Sequence, residues 1–154
     1  LGLFSFLGNK KNIFTTEEQT LIVEAIRAQE RRTSGEIRIY IESKCKYVDP
    51  VDRAKEIFLQ LEMTKTADRN GVLLYIAHKD KQLAILGDEG IHLKLGDGFW
   101  LSEVQKILQS FNATQFVEGI INIVNDIGNA LYTHFPFDEA SDKNELPDDI
   151  VFGR

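Results

Sequence analysis

Glu36-Ile37-Arg38-Ile39-Tyr40-Ile41-Glu42 sets isoleucine at every second position, between charged residues and one tyrosine. A period of two marks a strand with one strongly apolar face. Further along, Val72-Leu73-Leu74-Tyr75-Ile76-Ala77 is apolar without alternation, the pattern of an inner strand covered on both sides. Between them, Asp49-Pro50 supplies an N-cap and a proline suited to the first helical position. Ala54, Ile57, Phe58 and Leu61 then line one face of a helix over roughly 50–64. The order strand, helix, strand predicts a parallel pair joined by a right-handed crossover. The short His78-Lys79-Asp80-Lys81 link to Leu83-Ala84-Ile85-Leu86 suits a hairpin, so the third strand runs antiparallel to the second.

Outward from this nucleus the chain reads as helical. Thr15-Thr16-Glu17-Glu18 has the spacing of a capping box, and Leu21, Ile22, Ala25 and Ile26 repeat at helical spacing up to Arg31-Arg32 and Ser34-Gly35. Leu101, Val104, Leu108 and Phe111 predict a third helix, and Phe116, Ile120, Ile123, Ile127 and Leu131 a long fourth one. Gly119 and Gly128 each cost about 1 kcal/mol relative to alanine inside that helix, so they are expected to permit close approach to the sheet. The fold class is therefore α/β: a three-layer-like sandwich whose mixed central sheet, a parallel βαβ unit plus an antiparallel hairpin, is covered by helices. Residues 1–12 form an N-terminal segment, 13–137 the domain and 138–154 an acidic tail, in which Ile150, Val151 and Phe152 are the candidates for a short docking segment.

A length of 154 residues with 43% hydrophobic content suits one domain with one sizeable core. The 18 Lys and Arg against 24 Asp and Glu leave a net charge of -6, which disfavours nucleic acid as a partner. Residues 136–154 hold six acids and two bases, so the rest of the chain is nearly balanced. Cys45 is the single cysteine and has no intrachain partner for a disulfide or a multi-thiolate zinc site, which is compatible with a reducing compartment. No apolar run approaches the ~20 residues that span a bilayer. The opening Leu1-Gly2-Leu3-Phe4-Ser5-Phe6-Leu7 stretch is followed, not preceded, by Lys10 and Lys11. A cytoplasmic protein without stable membrane insertion is expected, its N-terminal run resting on its own domain.

The topology brings three distant segments to one edge of the sheet. The starts of the two parallel strands and the end of the antiparallel one lie together there: Glu36 opens the first, Asp68, Arg69 and Asn70 precede the second, and Gly87-Asp88-Glu89-Gly90 forms a turn after the third. Asp97, between Gly96 and Gly98, folds over the same edge. Carboxylates gathered in this way require protonation, hydration or positive charge from an arginine or a metal. A divalent cation satisfies them, and Ca2+ is favoured over Mg2+ because it accepts 6 to 8 oxygen ligands in irregular geometry. The metal-site candidates are Glu36, Asp68, Asp88, Glu89 and Asp97, without the spacing of an EF-hand. The competing arrangement pairs Arg38 and Arg69 with these acids and leaves Asp97 as a helix cap. His78, His92 and His134 form no close-spaced metal motif, and only His92 lies near the edge, as a loop histidine or one that orients a carboxylate. Phe99 and Trp100 anchor the third helix or roof the cleft, and Tyr40 covers the sheet.

The same segments resemble the TPM domain family, which includes thylakoid-lumen phosphatase-like and photosystem II repair proteins. The resemblance covers most of residues 13–137. It is carried by Thr33-Ser34-Gly35-Glu36-Ile37-Arg38-Ile39, Arg69-Asn70-Gly71-Val72-Leu73-Leu74 and Ala84-Ile85-Leu86-Gly87-Asp88-Glu89-Gly90-Ile91, with support from Phe99-Trp100, Phe116-Val117-Glu118-Gly119-Ile120 and His134-Phe135-Pro136. It implies an α/β sandwich with an acidic cavity for divalent ions, and an association of some plant members with acid phosphatase activity. The family's acidic positions fall on Glu36, Asp68, Asp88 or Glu89, and less directly Asp97. Many members carry Asp immediately before Asn-Gly, whereas here Arg69 stands between Asp68 and Asn70. Without the usual exported-member signal peptide and anchor, the chain looks like the small soluble bacterial branch.

The expected function is thus a divalent-cation-binding domain with an acidic cleft and a regulatory or protein-interaction role, its acidic tail one place for a partner to bind. The alternative is a metal-assisted acid phosphatase acting on phosphomonoesters, by carboxylate attack or metal-activated water. A Cys-x5-Arg phosphate loop and a Walker-A loop are both absent from the sequence.

Overall fold

The computed structural model of the chain describes residues 13–111, 115–137 and 150–153. The expectations for residues 1–12 and for 138–149 of the tail lie outside these. Among the described residues there are five helices and four strands: α1 (Thr16–Glu30), β1 (Glu36–Glu42), α2 (Pro50–Gln60), β2 (Gly71–Ala77), β3 (Gln82–Gly87), α3 (Glu89–Leu95), α4 (Asp97–Gln109), α5 (Phe116–His134) and β4 (Val151–Phe152).

The sheet order is β3-β2-β1-β4. β1 and β2 are parallel from Glu36↔Gly71 to Glu42↔Ala77, and β2 and β3 antiparallel from Val72↔Gly87 to Ala77↔Gln82. The parallel pair with a helix between its strands and the hairpin read from the sequence are both present. Strand alternation divides the core into two layers. Ile37, Ile39, Ile41, Val72, Leu74 and Ile76 meet Ile22 and Ile26 of α1, Ile107 of α4 and Ile120, Ile127 and Leu131 of α5. On the other face Tyr40, Leu73, Tyr75 and Ala84 meet Ala54, Ile57 and Phe58 of α2. Helix, sheet and helix therefore form three layers, because β1 and β2 have an apolar residue to offer on each face.

Local chemistry sets the boundaries. The Thr15 hydroxyl accepts from Glu18 N and Glu18 reaches back to Thr15 N, which starts α1 by the predicted capping box. Asp49 caps α2 through Val51 N at 2.9 Å. That helix ends at Gln60 rather than near 64, and Glu62 just beyond it takes a left-handed φ of 57° while Met63 turns into the core. β4 pairs parallel with β1 through Tyr40↔Val151 and Ile41↔Phe152, so the end of the chain docks as a sheet edge.

Two expectations change. Asp88-Glu89 is not an open turn: Asp88 is the N-cap of α3, its carboxylate accepting from Glu89 N at 2.8 Å, and Glu89 is the first helical residue. Gly119 and Gly128 do admit close neighbours, but helices rather than the sheet. A Cβ on Gly119 would press on Ser110, after α4, and one on Gly128 would collide with Gln29 of α1.

Candidate functional site

Register places the site. Glu36 is paired with Gly71, and Asp88 N donates to Gly71 O at 2.9 Å, so Glu36, Gly71 and Asp88 form one row across three neighbouring strands. Two inter-strand spacings of about 4.8 Å separate the outer members. The residue between them has no side chain. Glu36 and Asp88 are both buried, at 3% and 6% exposure, although they end the strands.

The loop before β2 supplies the rest of this rim. Asn70 N donates to the Thr66 hydroxyl, Arg69 N to Thr66 O, and Gly90 N to Arg69 O at 2.8 Å. The loop is tied to the start of α3 at a distance only glycine allows, since a Cβ on Gly90 would collide with the Asp68 carbonyl oxygen. Asp68 is exposed, and its Oδ2 accepts from Ser34 Oγ at 3.3 Å. Ser34 Oγ in turn accepts from Asn70 Nδ2 at 3.1 Å. Asn70 is fully buried, yet its Oδ1 has no hydrogen-bond partner among the described residues.

Arg69 supplies the positive charge. Its Nε and Nη2 hold the two oxygens of Asp88 at 2.6 and 2.8 Å, and Nη1 reaches Glu89 Oε1 at 3.0 Å. Asp88 pushes the guanidinium pKa higher still, first through these hydrogen bonds, against a smaller desolvation effect. The backbone of Arg69 sits at φ 50°, a left-handed conformation in which a non-glycine residue is strained.

The structure thus brings Glu36, Asp68, Asp88 and Glu89 to one edge and leaves Asp97 at the far end of α3. Seven helical residues, roughly 10 Å of helix, separate Asp97 from Asp88. Asp97 does not cap α4 either: Gly96, with φ 79°, is the N-cap, and no side chain caps that helix. Asp97 is highly exposed, and its Oδ1 lies 3.4 Å from Nε2 of His92, whose Nδ1 accepts from Trp100 Nε1 at 3.0 Å. His92 therefore lies beside a carboxylate, though not one on the rim. Trp100 is buried, and its indole lies where a Cβ on Gly87 would be, so it anchors α4 over the end of β3.

Asn70, Ser34 and Thr66 were not singled out as polar partners in the sequence. The Asn-Gly step at 70–71 was a signal for the first, because an asparagine entering a fully buried strand has to satisfy its amide. A second polar centre at the opposite end of the sheet also has no sequence signature. Arg53 grips Glu42 through Nε and Nη2 at 2.9 and 3.0 Å, and Tyr75 donates its hydroxyl to the same carboxylate. Burial, then the hydrogen bond to Glu42, drives the Tyr75 pKa far up, and with its charges paired this centre reads as a strut between β1, β2 and α2.

The hard oxygen donors of the rim have the right chemistry for a calcium-type cation. Their present arrangement is that of an arginine–carboxylate clamp. Among the described residues no group of three or more His, Cys, Asp or Glu side chains is set to hold a metal ion, and a cation at Asp88 would have to take the place of the guanidinium.

The chain is an α/β sandwich in which helices cover a mixed four-stranded sheet. The sequence pattern of the TPM domain matches residues 9–130, and the chain belongs to that family. It is similar to the BA42 protein of the psychrophilic bacterium Bizionia argentinensis, whose NMR structure superposes with a TM-score of 0.84 at 38% identity, over 95% of this chain and 99% of that one. The N-terminal domain of the cg2496 protein from Corynebacterium glutamicum shares the fold, with a TM-score of 0.56 at 12% identity over 87% and 83% of the two chains. No curated protein matches the sequence at a significant level. None of the helices among the described residues is long and apolar enough to cross a membrane.

Proposed function

We propose that this TPM domain binds a divalent cation, calcium in preference to magnesium, at the rim of Glu36, Asp68, Asp88 and Glu89, and that the ion-dependent state of the rim is what a protein partner reads in the cytoplasm. Asp97, the last of the acidic candidates, stands off this rim at the far end of α3. The observation that carries this reading is Asn70. A buried carbonyl oxygen without a partner is costly by about 1–3 kcal/mol, and here it belongs to a residue wired through Ser34 to an exposed carboxylate. A hard cation is a ligand that suits such an oxygen. Glu36 and Asp88 on either side of a glycine support the same reading, because nothing from Gly71 fills the space between them.

Calorimetric titration with CaCl2 and MgCl2 tests it. The wild-type chain is expected to bind calcium more tightly than magnesium, and Asp88→Asn and Asn70→Ala to weaken calcium binding by tenfold or more while remaining folded. Equal heats from all three proteins would remove the rim as the site. The alternative, a metal-assisted phosphatase, uses the same carboxylates and is distinguished by release of phosphate from phosphomonoesters, abolished in Asp88→Asn.

A further inference from the structure

We propose that the end of the sheet opposite the acidic rim is a docking surface for an anionic lipid bilayer, formed by Lys44, Lys46, Lys79 and Lys81 together with the exposed side chains of Tyr47 and Val48. This surface is separate from the rim and stands whether or not the rim holds an ion.

Two loops build the surface. Residues 43–48 follow β1, and residues 78–81 join β2 to β3. The loops are fastened to one another: Lys79 N donates to Ser43 O at 2.8 Å, His78 N to Glu42 O at 3.0 Å, and Cys45 N to Asp80 Oδ2 at 2.8 Å. All four lysines are exposed, and among the described residues none of them has an ion-pair partner. Four acids close by are already engaged. Asp80 accepts from the Cys45 amide, Asp49 caps α2, and Glu42 and Glu56 are both held by Arg53. The two loops together carry a charge of +3 in a chain whose net charge is -6, so the sign of the charge is inverted at this end.

The acidity of the rest of the chain does not cancel this patch. The seven residues of β1 set the two ends of the sheet about 20 Å apart, which is more than two Debye lengths at physiological salt. An anionic surface facing the lysines is therefore screened from the carboxylates of the rim. The apolar side chains favour a bilayer over other polyanions. Val48 is 100% exposed and Tyr47 38%, and the Tyr47 hydroxyl is fixed to Glu56 at 2.6 Å. A phosphate backbone or an acidic peptide would satisfy the lysines and leave Val48 in water, whereas the headgroup layer accepts lysine, tyrosine and valine together. One valine and one tyrosine do not anchor a protein, so the contact is peripheral, reversible and sensitive to salt.

Co-sedimentation of the full chain with vesicles tests the proposal, comparing equimolar phosphatidylglycerol and phosphatidylcholine with phosphatidylcholine alone. Binding is expected only to the anionic vesicles and is lost as NaCl is raised. The double variant Lys79→Ala/Lys81→Ala is expected to partition about twentyfold more weakly. Val48→Ser is expected to lose a smaller factor with its salt dependence unchanged. The substituted positions are exposed, so both proteins should keep the wild-type amide spectrum. Lys65→Ala, at a lysine paired with Glu62, should bind as wild type does. No binding of the wild-type chain to anionic vesicles overturns the proposal, as does equal binding by wild type and Lys79→Ala/Lys81→Ala. A loss seen only in Lys10→Ala/Lys11→Ala also overturns it, by moving the contact to the N-terminal segment. Retention on immobilised polyglutamate, with Val48→Ser equal to wild type on vesicles, would make the patch a site for acidic peptides and overturn the lipid assignment.

Discussion

Asp88 is held from both sides: Arg69 takes its two carboxylate oxygens at 2.6 and 2.8 Å, while the same carboxylate accepts from Glu89 N to start α3. One side chain is therefore both half of an ion pair and a helix cap. Losing the cap costs about 0.5–2 kcal/mol, and the pair adds little to this because Arg69 is partly exposed. Asp88→Ala is expected to lose about 0.5–2 kcal/mol in urea unfolding, chiefly from the lost cap. Asp88→Asn, which keeps a capping oxygen, should lose about 1 or less, and identical losses would show that the cap is not the stabilising part.

Gly90 and Gly98 lie 8 positions apart and predict opposite outcomes. A Cβ at Gly90 would enter the backbone of Asp68 and Arg69, whereas at Gly98 it would meet nothing within 4 Å. Gly90→Ala is expected to cost about 1–3 kcal/mol by overpacking and to shift the amide signals of residues 66–71. Gly98→Ala, in the first turn of α4, should be neutral or stabilising by up to about 1 kcal/mol. Equal thermal midpoints for the two variants would contradict the close seating of the loop on α3.

How much of this was legible beforehand varies with the kind of signal. β1 and β2 announce themselves by alternation and by its absence, and their parallel pairing follows from the helix between them. Convergence of Glu36 with Asp88-Glu89 at one edge then follows from topology alone. α3 was hidden because seven residues, Glu-Gly-Ile-His-Leu-Lys-Leu, carry too few turns for a helical period and include a glycine. Its presence displaces Asp97 from the rim. The partner of Asp88 was hidden for a different reason: two arginines were candidates, and the choice of Arg69 depends on a left-handed backbone that sequence pattern does not report.

Ile150 carries a prediction about the end of the chain. It is fully buried, immediately before the two residues that pair with β1. Ile150→Ala is expected to destabilise the domain by about 2–5 kcal/mol, with increased exchange of the Gly153 amide, which donates to Ile41 O. A loss under about 0.5 kcal/mol would mean that this segment does not contribute to the core.

Glu103 makes stability depend on pH. Burial, and then its neighbour Asp126, push its carboxyl pKa above the ordinary 4.5, while Lys106 opposes them. A folded-state value above the unfolded one means that the folded chain holds the proton more tightly. The resulting stabilisation is complete below about 4.5 and is lost as pH rises through the folded value. In urea unfolding, Glu103→Gln should gain on wild type as pH rises from 4 to 8. Parallel profiles across that range would show that the carboxyl titrates as an ordinary one.

The cation binding proposed at the rim is tested most directly on the Arg69 side chain that holds Asp88. Its Nε–H donates to Asp88 Oδ2 at 2.6 Å and should give a downfield proton–nitrogen signal, protected from solvent, in the calcium-free protein. On titration with CaCl2 that signal is predicted to lose its protection and move to the position of a free arginine, in step with shifts at Glu36, Asn70 and Glu89. An Arg69 Nε–H signal that stays in place at saturating calcium, while those amides move, would contradict the account.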